Sequence, residues 1–121
     1  MEHRPLTLDA YQSLALDTLI YNTEPHLTYG LAAEVGEVMS LMQKTARHDP
    51  RYWAEEPDEF FGEYTSLFKE KIFSEMGDVL WYLACLANYH GFTLSAVAKH
   101  NLEKLGIRKA EGKIQGDGDN R

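Results

Sequence analysis

The stretch Phe73-Ser74-Glu75-Met76-Gly77-Asp78-Val79-Leu80-Trp81-Tyr82-Leu83 decides the reading of this chain. It sets two carboxylates three positions apart within an apolar run. On an α-helix, positions i and i+3 share a face. Leu31-Ala32-Ala33-Glu34-Val35-Gly36-Glu37-Val38 repeats the arrangement earlier, and both stretches follow the pattern Glu-x-Gly-(Glu/Asp). Two such helices packed together would gather Glu34, Glu37, Glu75 and Asp78 in one place. Buried carboxylates are costly unless paired or metal-bound. Mg²⁺ and Mn²⁺ favour oxygen donors such as carboxylates, water and phosphates. The competing reading is two solvated i, i+3 acid pairs. A di-iron bundle needs Glu-x-x-His motifs. Here an acid stands where that histidine belongs, and neither His90 nor His100 lies three positions beyond a candidate acid.

The surrounding chain reads as all-α. Leu8, Tyr11, Ala15, Thr18 and Leu19 recur at helical spacing after a cap at Thr7 or Asp9, with Gln12 completing a capping box from Asp9. Tyr21 to Pro25 is expected to end that helix. Thr28 is the expected cap of a second helix running to about Arg47. Its apolar face is Leu31, Val35, Val38, Leu41 and Met42, with Glu34 and Glu37 beside it. The third helix, from about Thr65 to His90, is apolar on most sides, which predicts burial at the centre or at a subunit interface. Gly91 caps it. A fourth helix starts at Thr93 or Ser95 and reaches about Leu105, with Gly106 interrupting it before Ile107 to Ala110. Gly36 and Gly77, inside helices, each cost roughly 0.5–1 kcal/mol against alanine. A close approach by another helix or a ligand would account for them.

The expected architecture is a four-helix-type bundle in one domain, residues 1–121. A long loop insert, His48 to Tyr64, joins helices 2 and 3. It is rich in acids and aromatics and exceeds the roughly 2–8 residues usual between bundle helices. Residues 112–121 read as an extended or disordered tail.

The 121 residues are 44% hydrophobic and carry a net charge of -7. The first figure places the chain among globular proteins. The second argues against a nucleic-acid backbone as partner, but not against a phosphorylated small molecule met through metal ions. No run approaches the ~20 apolar residues of a membrane span, and no signal-peptide pattern opens the chain. The single cysteine, Cys85, reads as a small buried hydrophobe and fits a reducing cytosol. Asn101, Lys104 and Arg108 lie at i, i+3 and i+7, an amide and two cations on one stripe, suited to phosphate oxygens. Lys44 adds a cation seven residues after Glu37. Tyr82, seven after Glu75, shares the carboxylate stripe and could face a nucleobase. Its bland reading is a core tyrosine. His26, Tyr29 and Trp81 are weaker base contacts and more often packing residues.

These residues resemble a known family. Glu34-Val35-Gly36-Glu37, then Glu75-Met76-Gly77-Asp78-Val79-Leu80-Trp81-Tyr82, then Asn101-Leu102-Glu103-Lys104-Leu105 with Arg108 look like the MazG-like nucleoside triphosphate pyrophosphohydrolases. The ending Gly116-Asp117-Gly118-Asp119-Asn120-Arg121 is similar to that of short phage and bacterial members. The resemblance implies a MazG-like helical bundle that forms a homo-dimer or homo-tetramer. It implies cleavage of a nucleoside triphosphate to a monophosphate and pyrophosphate, in nucleotide-pool house-cleaning or adjustment, in the cytoplasm (the host's, if phage-encoded). It implies Mg²⁺ on Glu34, Glu37, Glu75 and Asp78, and phosphates on Asn101, Lys104 and Arg108. Joined with the residue reading, Glu34 or Glu37 orients or deprotonates the attacking water. Many members carry a double glutamate before the first motif, where Ala33 stands here. The alternative function is a non-catalytic helical nucleotide- or protein-binding module.

Overall fold

A computed structural model describes residues 4–48 and 66–114. Four helices are present and no strand among the described residues: α1 Leu8–Leu16, α2 Glu24–Arg47, α3 Ser66–Tyr89 and α4 Leu94–Ala110. The all-α expectation holds. The insert between α2 and α3, apart from His48, and tail residues 115–121 lie outside the described residues.

Three threonines open helices by one mechanism. The hydroxyls of Thr7, Thr23 and Thr93 accept hydrogen bonds from the backbone N–H groups of Ala10 (3.0 Å), His26 (3.4 Å) and Ala96 (3.1 Å). Each thereby satisfies one donor of the first turn. Thr23, not Thr28, is therefore the cap of α2. Pro25 begins this helix and does not terminate its predecessor, because proline in a first turn has no N–H to waste. α1 correspondingly stops earlier than its periodicity suggests, at Leu16, where the Thr18 hydroxyl donates to the Ala15 carbonyl at 2.7 Å. Gly91 and Gly112 adopt φ of +81° and +70° just beyond α3 and α4. Phe92 N–H reaches Ala87 O and Lys113 N–H reaches Arg108 O, each at 2.8 Å, closing both ends with the αL geometry that glycine favours. Gly106 does not interrupt α4, which runs through it.

α2 and α3 form the frame. Each has 24 residues, so each is about 36 Å long. They run antiparallel, with the Tyr82 ring lying over Gly30. The same register sets Leu27 level with Cys85 and Glu34 level with Asp78. Leu27, Ala84 and Cys85 are fully buried; Ala46 and Phe68 are buried where α2 ends and α3 begins. The helix α1 packs across α3 and α4, and α4 packs on α1 and α3. Trp81 Nε1 donates to Thr18 Oγ1 at 2.8 Å and to Ala15 O at 3.3 Å, tying the end of α1 to α3. Asp9 accepts from the Ser95 N–H at 3.0 Å and from its hydroxyl at 2.7 Å.

Gln12 corrects the capping-box expectation. It is 6% exposed, and its amide bonds the α3–α4 junction instead of its own helix start. The apolar surround of α3 is also only partly used. Phe73, Met76 and Leu83 stay exposed in the single chain. α3 is thus central on the faces that meet α1, α2 and α4, and open on the face that carries Phe73, Met76 and Leu83.

The glycines exchange roles. A Cβ added at Gly36 or Gly77 would meet nothing within 4 Å, so no helix among the described residues approaches them. A Cβ at Gly30 would instead overlap the Tyr82 ring. We expect Gly30→Ala to destabilise the fold by about 1–3 kcal/mol through overpacking. Most of that cost should vanish in a Tyr82→Ala background, read as non-additivity in a denaturant double-mutant cycle.

Candidate metal centre

Glu34 on α2 and Glu75 and Asp78 on α3 each offer a carboxylate oxygen, and the three lie within 4.8 Å of one another. The cause is the register. One turn below the Gly30–Tyr82 contact, Glu34 comes level with Asp78, and the i, i+3 spacing adds Glu75. Glu34 and Glu75 are half-buried and Asp78 is exposed. Glu37, exposed on the next turn of α2, stands outside this three-acid group. Its charge still reaches Glu34. The Glu34 carboxyl is held above its ordinary pKa first by burial, then by the charges of Asp78, Glu75 and Glu37.

Burial and like charge both act against ionisation, and a cation would relieve them. Oxygens around an octahedral Mg²⁺ lie about 3–4 Å apart, given bonds of roughly 2.1 Å. The three-acid group needs only small side-chain rotations to reach that spacing. With no soft donor in the group, it fits Mg²⁺ or Mn²⁺.

The raised Glu34 pKa has a definite sign in stability. Between the unfolded and folded values the native state keeps a proton that the unfolded chain has lost. Stability therefore falls as pH rises through that window. We expect the metal-free protein to melt at higher temperature as pH is lowered from neutrality into it. Glu34→Gln should flatten that dependence, as should saturating Mg²⁺. Thermal melts of both proteins across pH, with and without chelator, check this.

The remaining candidates lie around the cluster. Tyr82 is half-buried one turn above Asp78, with ring centroids 6.1 Å from His26 and 4.9 Å from Trp81. Tyr21 extends this aromatic group, 5.3 Å from His26. Trp81 packs and hydrogen-bonds within the fold, and Tyr29 is exposed. Asn101 is exposed and Lys104 half-buried on α4. Arg108, on the same stripe, is 6% exposed, and both Lys104 and Arg108 are engaged within the chain. Lys44 is exposed near the end of α2. It stands ten residues, about 15 Å of helix, beyond Glu34. Cys85 is buried, which pushes its thiol pKa up and leaves it unreactive.

Tyr11, whose spacing in the sequence marks only a helix face, lies near the cluster. The half-buried Tyr11 phenol is shifted upward by burial, then by Cys85, then by the charge of Asp78. Its place beside α3 depends on how α1 crosses that helix, which the local pattern of α1 does not encode.

Residues 22–112 match the model of the MazG nucleotide pyrophosphohydrolase domain family. The "Gene 37 protein" of Mycobacterium phage L5 is 37% identical over 123 residues, covering 94% of this chain and 98% of that protein. No solved structure gave a significant match.

Proposed function

The chain belongs to the MazG nucleotide pyrophosphohydrolase domain family, and from that premise we propose that it is a Mg²⁺-dependent nucleoside triphosphate pyrophosphohydrolase. Its reaction converts a (d)NTP and water to a (d)NMP and pyrophosphate, and its role is cleaning or adjusting the nucleotide pool of the cytoplasm. The observation that carries this reading is the grouping of Glu34, Glu75 and Asp78 from two helices inside the family-matched segment.

Glu34, Glu75 and Asp78 would hold the ion, with Glu37 beside them. When bound, Mg²⁺ supplies positive charge for the phosphate oxygens and lowers the pKa of a coordinated water. Glu34 or Glu37 would orient the attacking water or take a proton from it, and the exposure of Glu37 outside the three-acid group supports that role for it. Water attacks the α-phosphorus, the α–β bond breaks, and pyrophosphate departs with the bonding electrons. Asn101, Lys104 and Arg108 supply an amide and two cations to the leaving group, and Lys44, near the far end of α2, adds a third cation. Tyr82 lines the base. The acting form is a homo-dimer or homo-tetramer.

The test is pyrophosphate release from the common NTPs and dNTPs together with dUTP and dITP, with and without Mg²⁺. Mg²⁺-dependent release, strong for a few bases, is the expected result. Silence across the panel from folded protein, together with no thermal stabilisation by Mg²⁺ or by Mg²⁺ and nucleotide, would replace this reading with a non-catalytic helical module.

A further inference from the structure

α1 brings one polar group toward the candidate metal centre from outside the family-matched segment, which begins at residue 22. We propose that Tyr11 is a positioning residue of that centre: its hydroxyl donates, through one bridging water, to the Asp78 carboxylate and fixes the orientation in which Asp78 meets a divalent cation. The role rests on the metal reading of Glu34, Glu75 and Asp78.

Two facing stripes set the place of Tyr11. On α3, Asp78, Trp81 and Cys85 stand at i, i+3 and i+7; on α1, Tyr11, Ala15 and Thr18 stand at i, i+4 and i+7. Each set therefore shares one helix face. The faces meet, because Trp81 Nε1 donates to Ala15 O and to Thr18 Oγ1. The chain neighbour of Tyr11 pins the same crossing, since the buried Gln12 donates to Ala84 O beside Cys85. Asp78 and Cys85 lie about 10 Å apart along the axis of α3. Tyr11 senses both: after burial, Cys85 and then the charge of Asp78 push its phenol up. The hydroxyl is thus within electrostatic reach of Asp78 and remains a protonated donor above neutral pH.

That donor lacks a protein acceptor. Tyr11 is half-buried, and among the described residues its side chain makes no hydrogen bond. Packing on α3 needs only the ring. Phenylalanine would supply it without a hydroxyl that costs about 1–3 kcal/mol when buried unpaired. Two polar groups in electrostatic reach but not in contact stand at the separation that one water spans. Asp78 gains most from such a partner, because it is the exposed member of the cluster, whereas Glu34 and Glu75 are half-buried. A hydrogen bond to a ligating carboxylate holds it in its binding orientation, and losing that partner weakens metal affinity by roughly 10–100-fold.

Mn²⁺ binding to the nucleotide-free full chain tests this, read as free Mn²⁺ by electron paramagnetic resonance, with Mg²⁺ as competitor. Tyr11→Phe should raise the Mn²⁺ dissociation constant about tenfold, while the chelated protein keeps the helical circular dichroism and melting temperature of wild type. Tyr89→Phe makes the same change eleven residues beyond Asp78, about 16 Å along α3, and should leave the constant unchanged. Added to Asp78→Asn, Tyr11→Phe should cost no more than about twofold, as for a residue that acts only through that carboxylate. Wild-type affinity in Tyr11→Phe would overturn the proposal. So would a full tenfold loss in the Asp78→Asn background, or a loss matched by a fall in the chelated melting temperature, which marks a packing role. A wild-type chain that binds neither Mn²⁺ nor Mg²⁺ would remove the metal centre and this role with it. Wild-type binding that Tyr11→Phe leaves intact would remove Tyr11 alone.

Discussion

Glu75→Gln and Asp78→Asn should each lower the Mg²⁺-dependent rate of pyrophosphate release by about two to three orders of magnitude, while leaving the metal-free protein as stable as wild type or more so. The two effects have one origin. In the metal-free chain three carboxylates stand within 4.8 Å of one another, and removing a charge relieves repulsion. Burial first, then the charges of Asp78, Glu75 and Glu37, push the Glu34 carboxyl toward the protonated form, in keeping with that repulsion. Under the proposed metal reading, the same charge becomes a ligand when the ion binds. A metal ion stabilises phosphoryl transfer by several kcal/mol, and each 1.36 kcal/mol is tenfold in rate, so losing a ligand is expected to cost orders of magnitude. Opposite signs for turnover and metal-free stability distinguish a ligand set from solvated acids, whose substitution would move neither. Pyrophosphate release and thermal melts on the same samples make the measurement. Full turnover with Mg²⁺ in either variant would remove that carboxylate from the mechanism.

Much of the cluster was legible because helix spacing carries it. Two Glu-x-Gly-(Glu/Asp) segments on two helices place their acids on facing stripes whenever those helices pack, and α2 and α3 do pack. The register was not legible. It rests on Gly30 receiving Tyr82, a contact 52 residues apart in sequence, and that register leaves Glu37 outside the three-acid group. Helix ends were misread where two signals competed. Pro25 can stop one helix or start another, and the choice is made by Thr23, whose hydroxyl caps α2. Gly36 and Gly77 stand out in the sequence as unusual, but no described residue comes close enough to account for them.

Gln12→Met should cost about 3–5 kcal/mol, the largest stability loss expected from a single substitution of near-equal volume. The Gln12 side-chain amide donates to Ala84 O at 3.0 Å and to Phe92 O at 3.1 Å, and its carbonyl accepts from Leu94 N–H at 3.0 Å. Methionine fills the same space and offers none of these bonds. Ala84 O lies within α3, where helix geometry supplies another donor. Leu94 N–H is a first-turn donor of α4 and Phe92 O sits in the turn, so both depend on the amide more heavily. Leaving a buried polar group unpaired costs about 1–3 kcal/mol, and two such groups remove a large share of the 5–15 kcal/mol that holds a domain together. Urea unfolding should show a lower midpoint with an unchanged slope. The functional consequence follows from position. Gln12 fixes where α4 departs from α3, and α4 carries Asn101 and Lys104. Under conditions where Gln12→Met remains folded, KM for the triphosphate should rise more than Mg²⁺ affinity falls, because the carboxylates sit on α2 and α3 and do not depend on that junction. A loss below about 1 kcal/mol would mean that water replaces the amide at the junction, and would remove Gln12 as the element that sets α4.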